Sequence, residues 1–238
     1  MIGSIGADVG AAADGDPDGM AAQAGATRRR GVRGLGKYLR LSESVPGWTR
    51  GEEAKALAQA SHALPDGAVI VEIGAFFGSG TILLAGARQL RGSGIVHAVD
   101  PFDASGDAFS VPHYASILAD HPGRTLREHF DASMRMAGLD QWVEAHEGRA
   151  ESVGRRWSTP IDLLFLDGDQ SPAGARGAYD AWAPWLKPGG VIAIHNSGPE
   201  PHDPSHDGHV QLAQMLATAP AFSNVRLVAS TTFAHRRG

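Results

Sequence analysis

A chain of 238 residues with 42% hydrophobic content carries enough apolar material for one α/β core of ordinary size. Its net charge of −5 and isoelectric point near 6.1 argue against nucleic acid or an anionic membrane as partner, since either needs a basic face. The absence of cysteine excludes disulfides, thiolate metal sites and a cysteine nucleophile, and it suits a reducing compartment, so a cytoplasmic location is expected.

Residues 1–30 are mostly Gly, Ala and Asp, end in Arg28-Arg29-Arg30, and read as a disordered tail with a solvated charge run. No stretch approaches the roughly 18 apolar residues of a membrane span, and acids interrupt the start where a signal peptide would be apolar. One domain over 31–238 is expected. Thr49 followed by Glu52 has the spacing of a capping box, and an Ala/Leu-rich helix should run from there to about Ala63.

Asp66-Gly67 turns into the apolar run Ala68 to Ile73, short enough for a buried strand. Gly74 to Gly80 follow, then a helix over Thr81 to Leu90 and a second strand, Ile95 to Val99, ending at Asp100. A polar stretch over 101–122 reads as irregular, followed by a helix to Gly138 and a strand at Val143–His146. Ile161 to Leu166 is the fourth strand; a helix then carries Tyr179, Trp182 and Trp185, the two tryptophans reading as core. Lys187-Pro188-Gly189-Gly190 turns into the strand Val191–Ile194, and after a His/Asp/Pro-rich loop come a helix (Val210–Ala217) and strands near Val225–Val228 and Thr231–Ala234. Apolar strands alternating with helices predict a doubly wound, mostly parallel seven-stranded sheet with helices on both faces and an antiparallel last strand. Chemistry is then expected beyond the carboxyl ends of the strands.

At the first such end stands Glu72-Ile73-Gly74-Ala75-Phe76-Phe77-Gly78-Ser79-Gly80, a Gly-rich turn whose Ser79 or Gly80 opens a helix. Asp100 ends the next strand, where a carboxylate suits ribose hydroxyls. The dinucleotide fingerprint GxGxxG is absent, and Glu72 suits a cationic ligand better than a pyrophosphate. With these motifs the chain resembles the class I S-adenosylmethionine-dependent methyltransferases: VEIGAFFGSGT matches their first motif, AVDPF the acidic second, IDLLFLDGD the fourth, and LKPGGVIAIHN the fifth strand. More narrowly it is similar to bacterial sugar and macrolide-glycoside O-methyltransferases, relatives of the catechol O-methyltransferases.

The resemblance spans roughly 45–235 and implies S-adenosylmethionine as cofactor and a Rossmann-like fold. It implies Glu72, Gly74 and Gly78 near the methionine end, with Phe76 and Ser79 in the same loop, Asp100 on the ribose, and Gly148, Arg149 and Ala150 by the adenine. Transfer to oxygen needs a base or a metal. Asp167 and Asp169 follow the fourth strand, His195 and Asn196 the fifth; Asp169 reads more simply as a helix cap. Metal-dependent relatives place oxygen ligands at positions matching Asp167, His195 and Asn196. Here a histidine interrupts the set, so His195 is either a ligand to a divalent ion (magnesium or manganese) or a general base beside Asp167. Segments over 101–122 and 197–209 are expected to act as lids, with Trp48, His113 and Tyr114 on the acceptor. The clustered His202, Asp203, His206, Asp207 and His209 match no closed zinc pattern and read as a mobile solvated loop. The resulting expectation is methyl transfer to a small-molecule hydroxyl, a sugar or glycoside, by a homodimer. A nicotinamide oxidoreductase and a non-catalytic cofactor binder are the competing readings.

Overall fold

The computed structural model describes residues 34–238; the tail expected over 1–30 lies outside the described residues. In chain order the elements are α1 (34–43), α2 (Gly51–Ala63), β1 (Val69–Ile73), α3 (Ser79–Arg91), β2 (Ile95–Asp100), α4 (Val111–Asp120), α5 (Leu126–Ala137) and β3 (Val143–Glu147). There follow α6 (Ala150–Gly154), β4 (Ile161–Leu166), α7 (Pro172–Trp182), β5 (Leu186–Ile194), α8 (Gly208–Thr218), β6 (Phe222–Val228) and β7 (Thr231–Arg236). The seven strands join one sheet in the order β3-β2-β1-β4-β5-β7-β6. Strands β1 to β5 pair in parallel, and β7 runs antiparallel to both β5 and β6. The doubly wound sheet with an antiparallel last strand is therefore what this chain forms.

Alternation along the buried strands divides the core in two. Ile70, Leu163, Phe165, Val191 and Ala193 face α2, α3, α5 and the 34–43 helix, whereas Val71, Ile73, Leu164, Ile192 and Ile194 face α6, α7 and α8. Because both faces are covered, these strands read as continuous apolar runs. The chain leaves β1 towards β2 and β3, then crosses back to lay β4 on the other side of β1. Connections diverge at that reversal and leave a crevice above the carboxyl ends of β1 and β4.

Several boundaries differ from expectation. The first long helix starts one residue late: Arg50 N–H donates to Glu53 Oε1 at 3.3 Å, while Thr49 turns its hydroxyl towards Asp167. The stretch over 101–122 contains α4, started by Pro112 in its first turn. None of its side chains is fully buried, so it lacks the apolar periodicity that would have revealed it. Trp182 is core, donating from Nε1 to Ala150 O, but Trp185 lies in a short 3₁₀ turn beyond α7. Strand β5 begins at Leu186, ahead of the Pro-Gly-Gly segment, which is absorbed where its register with β4 shifts.

Arg88 on α3 is fully buried and has no carboxylate partner; its guanidinium donates to the carbonyls of Ser61, Leu64, Pro65 and Ser93. It thereby satisfies carbonyls at the end of α2 and in the turns flanking β1, of which Ser61 O also accepts from Leu64 N–H. Arg88→Ala takes this donor from these carbonyls and should cost about 3 kcal/mol, measured as a lower urea midpoint at unchanged m. An unchanged midpoint would show that water replaces the guanidinium without loss.

Candidate functional site

A cavity of about 400 Å³ opens in the crevice between β1 and β4. The chain ends of β1, β2, β4 and β5 form its floor, contributing Gly74 to Phe76, Asp100, Asp167 to Gln170, and His195 with Asn196. Two segments wall it: Pro46 to Thr49 ahead of α2, and the stretch from Ala104 to Tyr114.

Gly74 holds φ +91°, and a Cβ there would meet Asp167 O at 2.3 Å, so only glycine lets the β1 turn lie against the end of β4. Asp100 ties this turn to β2: it accepts from Phe76 N–H at 2.9 Å and Phe102 N–H at 2.6 Å. Burial raises its pKa against those backbone donors. Phe76 (φ +48°) and Asn196 (φ +48°) sit in left-handed conformations on the cavity wall; phenylalanine gains nothing there locally, so the loop imposes the strain. Phe76, Ser79, Arg149 and Ala150 line the cavity as expected. Ser79 Oγ is already engaged by Arg50, whose guanidinium also reaches Val45 O.

Three expected cofactor contacts do not reach the cavity wall. Glu72 is buried beneath it, accepting from Thr81 Oγ1, and a Cβ on Gly80 would strike its Oε1 at 2.3 Å. Gly78 caps α3 at φ +91° against Met134, and Gly148 donates to Asp100 O. All three shape the site from behind. Desolvation pushes Glu72 up to about 8, helped by the charge of Asp100 and opposed by Thr81. Asp167 is held well above the carboxylate range by burial and then by Glu72, Glu53 and Asp100. Arg149 is the only arginine or lysine among the lining residues. The floor thus concentrates carboxylates without matching cations.

Glu53 was not legible in the sequence, where it reads as an exposed acid in the first turn of a helix. It is 5% exposed and lines the cavity. Its Oε2 accepts from Ser230 N–H at 3.2 Å, Ser230 Oγ at 2.5 Å and Thr231 Oγ1 at 3.0 Å, all on the β6–β7 turn. His195 stands between acids: Nδ1 lies 3.7 Å from Glu53 Oε2 and 3.4 Å from Thr231 Oγ1, while Nε2 lies 3.9 Å from Asp167 Oδ1. Burial lowers the His195 pKa despite the pull of Glu53, so the ring is neutral near pH 7.

In the Asp167, His195 and Asn196 set an imidazole stands among the oxygens that a hard ion such as magnesium prefers. Glu53 and Asp167 face opposite edges of the imidazole, so one ion cannot draw on both. Asn196 Nδ2 donates to Gln170 Oε1 at 2.8 Å and lies 3.0 Å from His206 Nε2, which holds its amide in a network beside the cavity. Those contacts leave Asn196 Oδ1 free, so the set offers one carboxylate oxygen, one amide oxygen and one imidazole, fewer oxygens than a hard ion prefers.

Trp48, Phe76 and Tyr114 form an aromatic trio, with ring centroids 5.0 to 5.5 Å apart. His113 lines the cavity beside Trp48 and Tyr114. The His/Asp-rich loop is solvated as expected over most of 199–205 but not at its end. His206 is buried, with Nδ1 2.9 Å from Asp107 Oδ1, and His209 Nδ1 lies 2.8 Å from His195 O. Asp107 also accepts from Ser110 N–H and Gln170 N–H, so one buried carboxylate joins both expected lid segments to the end of β4. Asp169 lines the cavity and accepts from Ser171 N–H, while Ser171 itself caps α7.

Comparison with known proteins agrees with this geometry. A family model described as a methyltransferase domain matches residues 71–197. Cofactor-bound Rv0187 from MTB superposes with TM-score 0.60 at 19% identity, covering 86% of this chain and 90% of that one. The O-methyltransferase TomG from Streptomyces achromogenes, involved in tomaymycin synthesis and solved in complex with SAM, gives TM-score 0.55 at 21% identity over 78% and 80% of the two chains. CalS11, a TDP-rhamnose 3'-O-methyltransferase of calicheamicin biosynthesis, gives 0.50 at 19% identity over 78% and 77%.

Glu72 carries a sign-definite consequence for stability. Its folded pKa, about 8, exceeds the unfolded value, so between about pH 4.3 and 8 the fold retains a proton that the unfolded chain has lost. Stability therefore falls as pH rises through that window, by up to about 1.4 kcal/mol per pH unit from this group. Glu72→Gln should flatten the slope in urea unfolding series from pH 5 to 9. Parallel slopes in the two proteins would show that Glu72 ionises freely in the fold.

Proposed function

The chain belongs to the methyltransferase-domain family, and from that premise we propose that it transfers the methyl group of S-adenosylmethionine to a hydroxyl of a small molecule, with His195 as the base. The observation that carries this reading is His195 itself, held between Glu53 and Asp167 at the floor of an acid-rich cavity. Glu72, Asp100 and Asp167 suit the sulfonium and ammonium charges of the cofactor, whose approach relieves their mutual repulsion. The same acids oppose a pyrophosphate, which disfavours a dinucleotide. Among the described residues no helix is long and apolar enough to cross a membrane.

When bound, S-adenosylmethionine supplies an electrophilic methyl carbon and leaves as a neutral thioether. Thr231 Oγ1, 3.4 Å away, can accept at Nδ1, and the Glu53 carboxylate at 3.7 Å favours a proton on that nitrogen, which leaves the Nε2 lone pair free. His195 Nε2 then takes the acceptor's hydroxyl proton as the oxygen–carbon bond forms and the carbon–sulfur bond breaks. Glu53 stabilises the resulting imidazolium. Asp167, across Nε2, orients the hydroxyl between itself and the ring. No step uses a metal.

We assign the acceptor to the sugars or glycosides. Trp48, Phe76 and Tyr114 offer faces for a pyranose ring, while Ser105, Ser110 and Gln170 supply polar edges. CalS11, a similar structure, is a TDP-rhamnose 3'-O-methyltransferase, which supports the same class.

Methyl-labelled S-adenosylmethionine with a panel of sugar nucleotides and glycosides tests the proposal. His195→Ala should lower kcat by about 10²- to 10⁴-fold while calorimetry shows cofactor binding retained. Glu53→Gln should lower kcat at least about tenfold and shift the acid limb of its pH profile to lower pH, because a neutral partner no longer favours the imidazolium and His195 loses proton affinity. EDTA should leave the rate unchanged. Unchanged transfer in His195→Ala, or transfer abolished by EDTA and restored by magnesium, would overturn the assignment.

A further inference from the structure

We propose that His97, Glu144 and His146 form a site for a borderline first-row divalent cation, zinc above all, on the edge of the sheet and separate from the cavity. His97 lies on β2, and Glu144 and His146 on β3, two residues apart and therefore on one face. The parallel register pairs His97 with Glu144 and Val99 with His146, which brings the three side chains together across the two strands.

Their ligand atoms converge. His97 Nδ1 lies 3.0 Å from His146 Nε2 and 3.6 Å from Glu144 Oε2, and His146 Nε2 lies 3.6 Å from Glu144 Oε1. Donors about 2.0 to 2.1 Å from a tetrahedral zinc stand about 3.3 Å from one another; here the two nitrogens are 3.0 Å apart, each meets a different Glu144 oxygen at 3.6 Å, and one atom from each residue lies within 4.8 Å of the others, so a small rotation of the Glu144 carboxylate closes the set. Among the described residues this is the group of three His, Asp or Glu side chains whose ligand atoms lie within 4.8 Å of one another. Two imidazoles and one carboxylate form the donor set of open zinc sites, and imidazole disfavours magnesium and calcium.

The surroundings support a held site. The Trp157 indole packs edge-on against both histidine rings, at 4.8 and 5.9 Å between centroids, and is itself fixed by donating to Thr159 O. Both histidines are half-buried, while the Glu144 side chain is 63% exposed, so one side stays open for entry and for a fourth, solvent ligand. The alternative occupant of the gap is a single proton shared between the rings. A bound ion would replace it and pin the edge strand β3 to β2, the strand that ends at Asp100.

Isothermal titration of the untagged full chain with zinc alone tests the site, with unfolding temperature as a second readout. The expected result is one equivalent per chain with Kd at or below about 10 μM and a zinc-dependent rise in Tm. Glu144→Gln and His146→Ala should each weaken binding at least about tenfold and abolish the rise, and His121→Ala, elsewhere on the surface, should change neither. If His146→Ala does not fold, Glu144→Gln decides. Absence of stoichiometric heat, or binding undiminished in Glu144→Gln and His146→Ala, would overturn the proposal.

Discussion

The structure turns on the burial of like charges at one place. Asp100 and Asp167 end neighbouring regions of the sheet, Glu72 lies under the first turn, and Glu53 reaches in from α2. Uncompensated carboxylates in a dry floor would favour protonation or collapse. Here they are held by backbone and hydroxyl donors: Phe76 and Phe102 on Asp100, Thr81 on Glu72, and the β6–β7 turn on Glu53. Asp167 receives only a long contact from Thr49, at 3.4 Å, and burial, then the charges of Glu72, Glu53 and Asp100, raise its pKa well above the usual carboxylate value. Under the proposed function a sulfonium ligand would relieve that residual deficit of positive charge, which links the energetics of the fold to the chemistry of the site.

The histidine at the end of β5 gains its character from elements remote in the chain. Glu53 comes from the start of α2 and Thr231 from β7, and together they define which ring nitrogen carries the proton. On its other side His206, Asn196 and Gln170 form a polar network fastened to Asp107. The two segments over the cavity are therefore joined by buried hydrogen bonds. Such a junction orders loops that would otherwise contribute only conformational entropy.

Much of this was readable from local pattern. The strands at Ile161–Leu166 and Ile95–Asp100 are apolar runs ending in acids, and β4 was bounded correctly because no polar residue but Asp162 interrupts it. Asp162 is itself accounted for, accepting from Val69 N–H and Lys187. Helix α4 leaves no apolar stripe in the sequence because its surface is nearly all solvated, and the His/Asp loop, exposed over most of 199–205, hides the burial of its end because polarity alone does not distinguish a solvated histidine from a hydrogen-bonded buried one. His206 and His209 are buried by hydrogen bonds to Asp107 and to the His195 carbonyl, contacts spanning 99 and 14 residues.

The sequence by itself determined the sheet, the glycine turn, and the acids and histidine at the strand ends, because periodicity and strand termini are local properties of the chain. Only the tertiary structure decided which of these side chains meet. Glu72 withdrew beneath Gly80, Glu53 took a place on the wall, and His195 was set between two carboxylates. The physical reason is that a side chain's charge state and tautomer depend on burial and on neighbours brought together by strand order, and neither is written in the spacing of residues along the chain.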